Sequence, residues 1–410
     1  MDSSKHLVVQ LNKDIEYIFQ FTRWVFKPLG LWWILSSDKK LSNKIISFVL
    51  ISINTFMMLS IIIPSSIHMI FVEKDLAARI LLFGPIGFTL TSFIKYYLII
   101  FQANMVQLCF KHIKDDWVSI AVESEENRAF MLKSIRFGRN LTSVCAVFMF
   151  SGGLSYDTIM PLLADTELDE FNNTIRTEVY PGYDLFLDSQ TSPAYEIIYW
   201  VNVLGATATY IITTAACNLG AMCASHICGQ VILINSRLKS LIDNYIIKEK
   251  GDDSFNDRIS YIVQCHVRML KFSKNLESLL RGICLIEVVA STLIICLLEY
   301  YCMTEWENSE TVAIITYFML LISLCFNIFI FCYIGEVLQQ QCASIGNSAY
   351  MINWYEIPGN KGLSLSLIIA VARLPCKITA GGMMDLNLRS FGSIIKTSVA
   401  YLNMLRTMAE

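Results

Sequence analysis

The sequence predicts an all-α, polytopic membrane protein with seven transmembrane helices, its N-terminus inside and its C-terminus outside. Three observations carry this. Of 410 residues, 54% are hydrophobic and only 16% charged, against about 25% charged in an ordinary soluble chain, and mean hydropathy is +0.50. The hydrophobic residues come in blocks long enough to cross a ~30 Å hydrocarbon core as helices. Lysine and arginine, finally, are confined to alternate loops, and basic loops stay cytoplasmic. The net charge of −3 says nothing alone; the placement of the charges does.

Residues 1–44 form a cytoplasmic segment. Its FTRWVFKPLGLWW run, Phe21 to Trp33, mixes aromatic and basic residues as an interfacial helix does. Lys5, Lys13, Asp14, Glu16, Arg23 and Lys27 interrupt any signal-peptide core, so the first span is expected to act as the insertion signal. Residues 45–335 hold six spans. The first, Ile45–Val72, is uncharged and contains Pro64; the second runs from Ile80 to about Gln102, with Gly84-Pro85 near its start. Lys95, inside it, is expected to snorkel to the interface rather than to occupy a polar cavity. After the charged residues 111–139, the third span covers Asn140 to about Leu163, followed by an acidic loop at 157–196. The fourth begins near Ile197 and stays uncharged to Ser236, 40 residues, more than one crossing needs, so it protrudes from the bilayer. Between 237 and 281, Ile259, Ile262, Val263, Val267 and Leu270 fall on one helical face and predict an amphipathic helix feeding the fifth span, Gly282 to about Leu298, which contains Glu287. The sixth is Thr311–Gly335. Residues 336–375 read as an intracellular anchor segment and 376–410 as the seventh helix.

Lysine and arginine number seven before the first span, six between the second and third, and nine between the fourth and fifth, but two, one and none in the alternate loops. The poor loops are acidic, with Asp165, Glu167, Asp169 and Glu170 in one and Glu299, Glu305, Glu307 and Glu310 in another. A glycosylation sequon at Asn172 lies on the predicted outer side. The 13 cysteines sit mostly in apolar runs and form no CxxC pair, which argues for helix contacts rather than a disulfide scaffold or a metal site.

The terminal stretch, Cys376 to Met408, is the anomaly. Its spacing predicts a helix, yet it carries Lys377, Asp385, Arg389, Lys396 and Arg406, and its longest charge-free run, Thr397–Leu405, is nine residues. At about 1.5 Å per residue, that run spans less than half of the hydrocarbon core. Such a helix packs against protein or lines water. Asp385 and Arg389, at i and i+4, are placed to pair on one face.

Seven spans invite comparison with G-protein-coupled receptors, but the inside N-terminus is reversed, and neither an NPxxY nor a DRY triplet is present. An enzyme finds no support: His6, His68, His112, His226 and His266 are scattered without HExxH, and Gly152-Gly153 and Gly381-Gly382 lack the context of a phosphate loop. Two related halves of a transporter are not evident. No cofactor, metal or nucleic-acid partner is expected.

TAGGMMDLNLRSFGSIIKTSVAYLNMLR (Thr379 to Arg406) resembles the seventh-helix signature of insect odorant receptors, with its Thr-Ala-Gly start, central Phe and Lys-Thr-Ser-x-x-Tyr end. YPGYDLFLDSQTSPAYEIIY (Tyr180 to Tyr199), SHICGQVILINSRLKSL (Ser225 to Leu241) and, more weakly, WYEIP (Trp354 to Pro358) resemble other segments of that family. Val399-Ala400 departs from the Ser-Tyr pair frequent there, and the Thr-Tyr and Gln-Phe pairs of gustatory receptors are missing. The resemblance implies an odorant-gated, non-selective cation channel in the plasma membrane, on sensory dendrites. Four subunits would surround one pore lined by the last helix, this chain serving as tuning subunit beside a co-receptor. Membrane lipid, permeating cations and a small volatile odorant are the other implied partners. The alternatives are a metabotropic receptor acting through G proteins and a gustatory-type homotetramer.

On this resemblance Thr397, Tyr401, Met404 and Met408 face the pore, with Met404 at a hydrophobic gate and plain packing as the alternative role. The implied ligand site lies in the outer half, where helical spacing singles out Phe83 and Gly87; Met149, Gly152 and Tyr156; Tyr199 and Val203; and Ile314, Tyr317 and Phe318. Gly152 is expected to leave room for ligand between Met149 and Tyr156. Ordinary helix packing is the competing role at each.

Overall fold

The computed structural model describes residues 2–35, 40–163, 167–168, 174–176, 179–185, 189–247, 252–308, 311–356, 362–374 and 376–409. Helices α1 (Asp2–Phe26) and α2 (Leu31–Leu35) precede the membrane. The interfacial run is therefore two helices, broken at Gly30, which has φ 74° and a place for Cβ only 2.9 Å from the Ser47 carbonyl. Only glycine makes that turn at that distance. α1 does more than lie at an interface, because Ile18, Phe19 and Phe26 are buried in the core.

The spans follow as α3 (Leu41–Ile67, continued by a π-helical turn at His68–Val72), α4 (Leu76–Phe101), α6 (Glu125–Leu154, continued by a π turn at Ser155–Ile159 and by α7, Met160–Leu163), α8 (Ala194–Ile247), α9 (Asp252–Asn308) and α10 (Thr311–Met351). These six are long and apolar enough to cross a membrane. α5 (Ala103–Glu123) joins α4 to α6, and α11 (Leu363–Ala372) lies between α10 and the terminal helix α12 (Leu388–Ala409). At about 1.5 Å per residue, α8 and α9 are each about 80 Å or longer, so more than half of each extends beyond a ~30 Å hydrocarbon core.

α8 is the hub. Its apolar window is 89% buried, against 17% for that of α3, which turns Phe48, Phe56 and Ile63 outward. Small residues make this possible: Gly205 has the Met57 carbonyl 2.9 Å from its Cβ position, and Gly138 of α6 has the Ala221 carbonyl at 2.8 Å. Close backbone approach of this kind is how helices associate in lipid, where burial of apolar area gives little drive. The amphipathic segment before the fifth span is continuous with it in α9. Its buried face runs through Phe255, Ile259, Ile262, Met269, Phe272 and Leu276; Val267, expected on that face, is 58% exposed.

The terminal stretch is not helical from its start. Strands β3 (Thr379–Ala380) and β4 (Met384–Asp385) pair antiparallel around Gly381 and Gly382, at φ 64° and 77°. Two consecutive left-handed residues reverse the chain, and α12 begins only after Asn387, whose side chain caps the Ser390 N–H at 2.9 Å. Asp385 therefore has no helical i+4 relation to Arg389 and pairs instead with Lys377, at 2.9 Å. Thr379 fastens the hairpin to α9 by donating to Glu277 at 2.6 Å.

The acidic loop is partly built. β1 (Glu167–Leu168) pairs with β2 (Thr174–Ile175), and Tyr183 donates to the Ser60 carbonyl at 2.8 Å, bringing the loop back onto α3. Asn172 lies outside the described residues. The 13 cysteines are free thiols, buried or half-buried within or beside the helices.

Candidate ligand cavity and pore helix

The π turn at Ser155–Ile159 adds residues to the end of α6 and re-aims its side chains, a feature common at functional sites. It places Asp157 inside the bundle at 1% exposure, although the sequence reading put it at the start of a loop. Tyr210 of α8 donates to one carboxylate oxygen of Asp157 at 2.7 Å and Tyr180 of the outer loop to the other at 3.2 Å.

Beside this cluster, in the outer half as the loop charges orient the chain, is a cavity between α4, α6, α8, α9 and α10, also reached by the outer loop. The space open to water centres is about 60 Å³, several times the ~10–15 Å³ one water needs. Of the residues singled out by spacing, Met149, Tyr156 and Tyr317 border it. Phe83 is instead 47% exposed, and Gly84, Pro85 and Phe88 supply the α4 wall in place of Phe83 and Gly87. Gly152 is closed against Ser323 of α10 and offers no room to a ligand; its neighbour Gly153 takes the cavity position, under the Tyr210 ring. Ile314 does not reach the cavity and Phe318 is 55% exposed. Tyr199 and Val203 border a smaller adjoining cavity with Asp157 and Asn202. Spacing missed Tyr180, Tyr210, Ile294, Leu298, Tyr301, Leu320 and Leu324. Tyr210 had a signal, since it lies seven residues from Val203 on the same helical face.

One to two turns inward lies a buried polar network. Lys95 does not snorkel: it is 1% exposed, and its Nζ sits 2.8 Å from Glu287 and 3.2 Å from Thr213 Oγ1. Asn327 donates to the other Glu287 oxygen and accepts from Cys145 Sγ at 3.6 Å. Each member is spaced a helical turn or two from a cavity residue: Lys95 from Phe88, Glu287 from Ile294, Thr213 from Tyr210, Asn327 from Leu324 and Cys145 from Met149. Charge at this depth is tolerated because it is paired and hydrogen-bonded.

At the inner side, His112 and His226, read from sequence as scattered, meet at Asp116 with Nε2 atoms 3.1 and 3.0 Å from one carboxylate oxygen. These are the donor atoms among the described residues grouped closely enough to hold a metal ion. Arg268 of α9 already pairs the other oxygen at 2.6 Å, and the Gln230 amide donates as well. The cluster thus ties α5, α8 and α9 together by its own charges. Burial by itself would raise the Asp116 carboxyl, but the hydrogen bonds from His112 and His226 outweigh it and hold it well below the usual carboxylate range.

α12 packs Ile394 and Ser398 against the core, with Phe391, Ile395 and Leu405 half-buried. The opposite face is open: Tyr401 is 44% and Met404 57% exposed, while Thr397 is intermediate and bonds back to the Ser393 carbonyl. The side chain of Met408 lies outside the described residues.

Fold and cavity together define a multi-pass membrane protein with an internal cavity and a terminal amphipathic helix. A family model described as 7tm Odorant receptor matches residues 75–399, and the chain belongs to that family of multi-pass membrane proteins. Among curated relatives, it is 25% identical over 232 residues to Odorant receptor 10 of Aedes albopictus, covering 55% of this chain and 59% of that protein. It is 23% identical over 261 residues to Odorant receptor 13a of Drosophila melanogaster, covering 56% and 62%. The matches thus span less than two thirds of those relatives. Among solved structures, the insect olfactory receptor OR5 from Machilis hrabei in complex with eugenol superposes with TM-score 0.75 over 98% of this chain and 99% of that one, at 15% identity, a likeness of fold.

Proposed function

We propose that this chain is an odorant-gated, non-selective cation channel subunit. A small volatile ligand occupies the outer-half cavity and opens a pore formed by α12 in a tetramer with co-receptor subunits. The observation that carries the reading is a largely apolar cavity on the same helices, α9 and α10, against which the open-faced α12 packs. A cavity of this kind suits apolar molecules with a few placed polar contacts, and α12, too charged for lipid along its length, suits a water-lined seam. The ligand of the similar OR5 structure, eugenol, is of the size class the reading requires. Tyr401 and Met404 then face the permeation path, Thr397 stands at its edge, Met404 closes it by dewetting, and cations pass when the four helices part. Met149, Tyr156 and Tyr317 contact ligand directly.

The test is whole-cell recording from cells that lack G-protein signalling and express the chain with a co-receptor. Odorant-evoked cation current that needs both subunits is expected. Responses that vanish without G proteins favour a metabotropic receptor, and full current from this chain alone favours a homotetramer.

A further inference from the structure

The five tyrosines bordering the outer cavity are not equivalent. Tyr180 and Tyr210 spend their hydroxyls on Asp157, at 3.2 and 2.7 Å. Tyr301 donates outward to the Ile80 and Leu81 carbonyls of α4. Ser323, the other hydroxyl on the wall, donates to the Phe148 carbonyl at 2.6 Å. Tyr156 and Tyr317 differ: their rings lie 6.3 Å apart, and neither hydroxyl has a hydrogen-bond partner among the described residues. Both residues line the cavity, and Tyr317 is only 2% exposed. The rest of the wall is apolar or aromatic, with Phe88, Met149 and Leu324 among its residues.

An O–H donor left without an acceptor beside an apolar space is a standing cost, removed by a ligand that brings an acceptor and kept by one that does not. No residue lining the cavity carries a charge, and Asp157 beside it is already covered by two tyrosines, so the wall offers no counter-charge to a cationic or an anionic ligand. Ring walls favour a ring ligand, through offset and edge-to-face contacts. We propose that the cavity selects neutral ring compounds bearing a hydrogen-bond-accepting oxygen, a carbonyl or aryl ether, held between the hydroxyls of Tyr156 and Tyr317. This rests on the cavity being the odorant site.

Acetophenone and α-methylstyrene make the test, because they share shape and differ in the acceptor, C=O against C=CH2. Two readouts are taken: current from the chain with its co-receptor, and thermal stabilisation of the purified receptor by each compound. Acetophenone is expected to act at about tenfold lower concentration in both, the scale of one to two neutral hydrogen bonds. Tyr156→Phe and Tyr317→Phe should each narrow that ratio about threefold or more. Equal potency of the two compounds in the unaltered protein, stabilisation by neither, or a ratio that both variants preserve overturns the proposal. Should the variants fail to reach the membrane, the comparison in the unaltered protein still decides it. Selective stabilisation by acetophenone without any current upholds the ligand class and rejects the channel reading.

Discussion

Lys95 shows how one residue carries two meanings that spacing cannot separate. A lysine a few residues from the inner end of a span is long enough to snorkel, and the sequence alone favours that. The structure instead meets it with Glu287 from a helix 192 residues away in sequence, a pairing that no local pattern announces. Removing one partner leaves the other charge buried, so Lys95→Met or Glu287→Met should each cost about 3–5 kcal/mol, whereas the double Met variant should recover most of the loss. Unfolding of the purified receptor in the four combinations measures the coupling; additive losses would reduce the pair to two independent polar residues. Met404 is the opposite case, exposed and apolar at 57%. With Met404 at the proposed gate, Met404→Asp is expected to give a leak current without odorant, since a carboxylate wets an apolar constriction, and unchanged resting current would remove it from the gate.

At the scale of elements, what was legible is what a one-dimensional pattern encodes. Span positions, the overlong α8 and the amphipathic start of α9 follow from hydropathy and period. Which residue of a helix faces the cavity does not, because one position is about 100° of rotation; hence Phe88 and Gly84 where Phe83 and Gly87 were expected, and Gly153 for Gly152. The π turn at Ser155–Ile159 and the turn at Gly381-Gly382 are beyond a periodicity argument too, since each interrupts the period itself. Gly153 gives a test of the α6–α8 contact. A Cβ there meets the Tyr210 ring, so Gly153→Ala should displace Tyr210 from Asp157 and cost about 1–3 kcal/mol, the range for overpacking. Gly220, whose nearest Cβ neighbour is a Leu280 methyl at 3.4 Å, should accept alanine with little loss. Thermal unfolding of the two variants side by side checks the contrast.

For the whole molecule, the proposed function requires a cavity in the outer half to act on α12. α9 supplies Ile294, Leu298 and Tyr301 to the cavity, Glu287 to the buried network, Glu277 to the β3–β4 hairpin and Arg268 to the inner cluster, all on one unbroken helix. A displacement of its outer end has a fixed lever on the hairpin that leads into α12, provided the inner end is held. Asp116 is what holds it, through Arg268 and the two histidines. Its folded carboxyl lies below the value of an unfolded aspartate, about 3.9, so its stabilising contribution is complete above roughly pH 5 and is lost only as pH falls through the lower folded value. Asp116 should therefore stay charged across cytosolic pH, and acidification from pH 7.5 to 6.5 should not release the clamp through this group. Asp116→Asn removes the charge at every pH. We expect it to lower stability by about 1–3 kcal/mol, from donors left poorly paired, and to shift the odorant dose–response with surface expression retained. If gating is unchanged while stability falls, the inner cluster is a tether for folding alone, and the lever must be anchored by the hairpin.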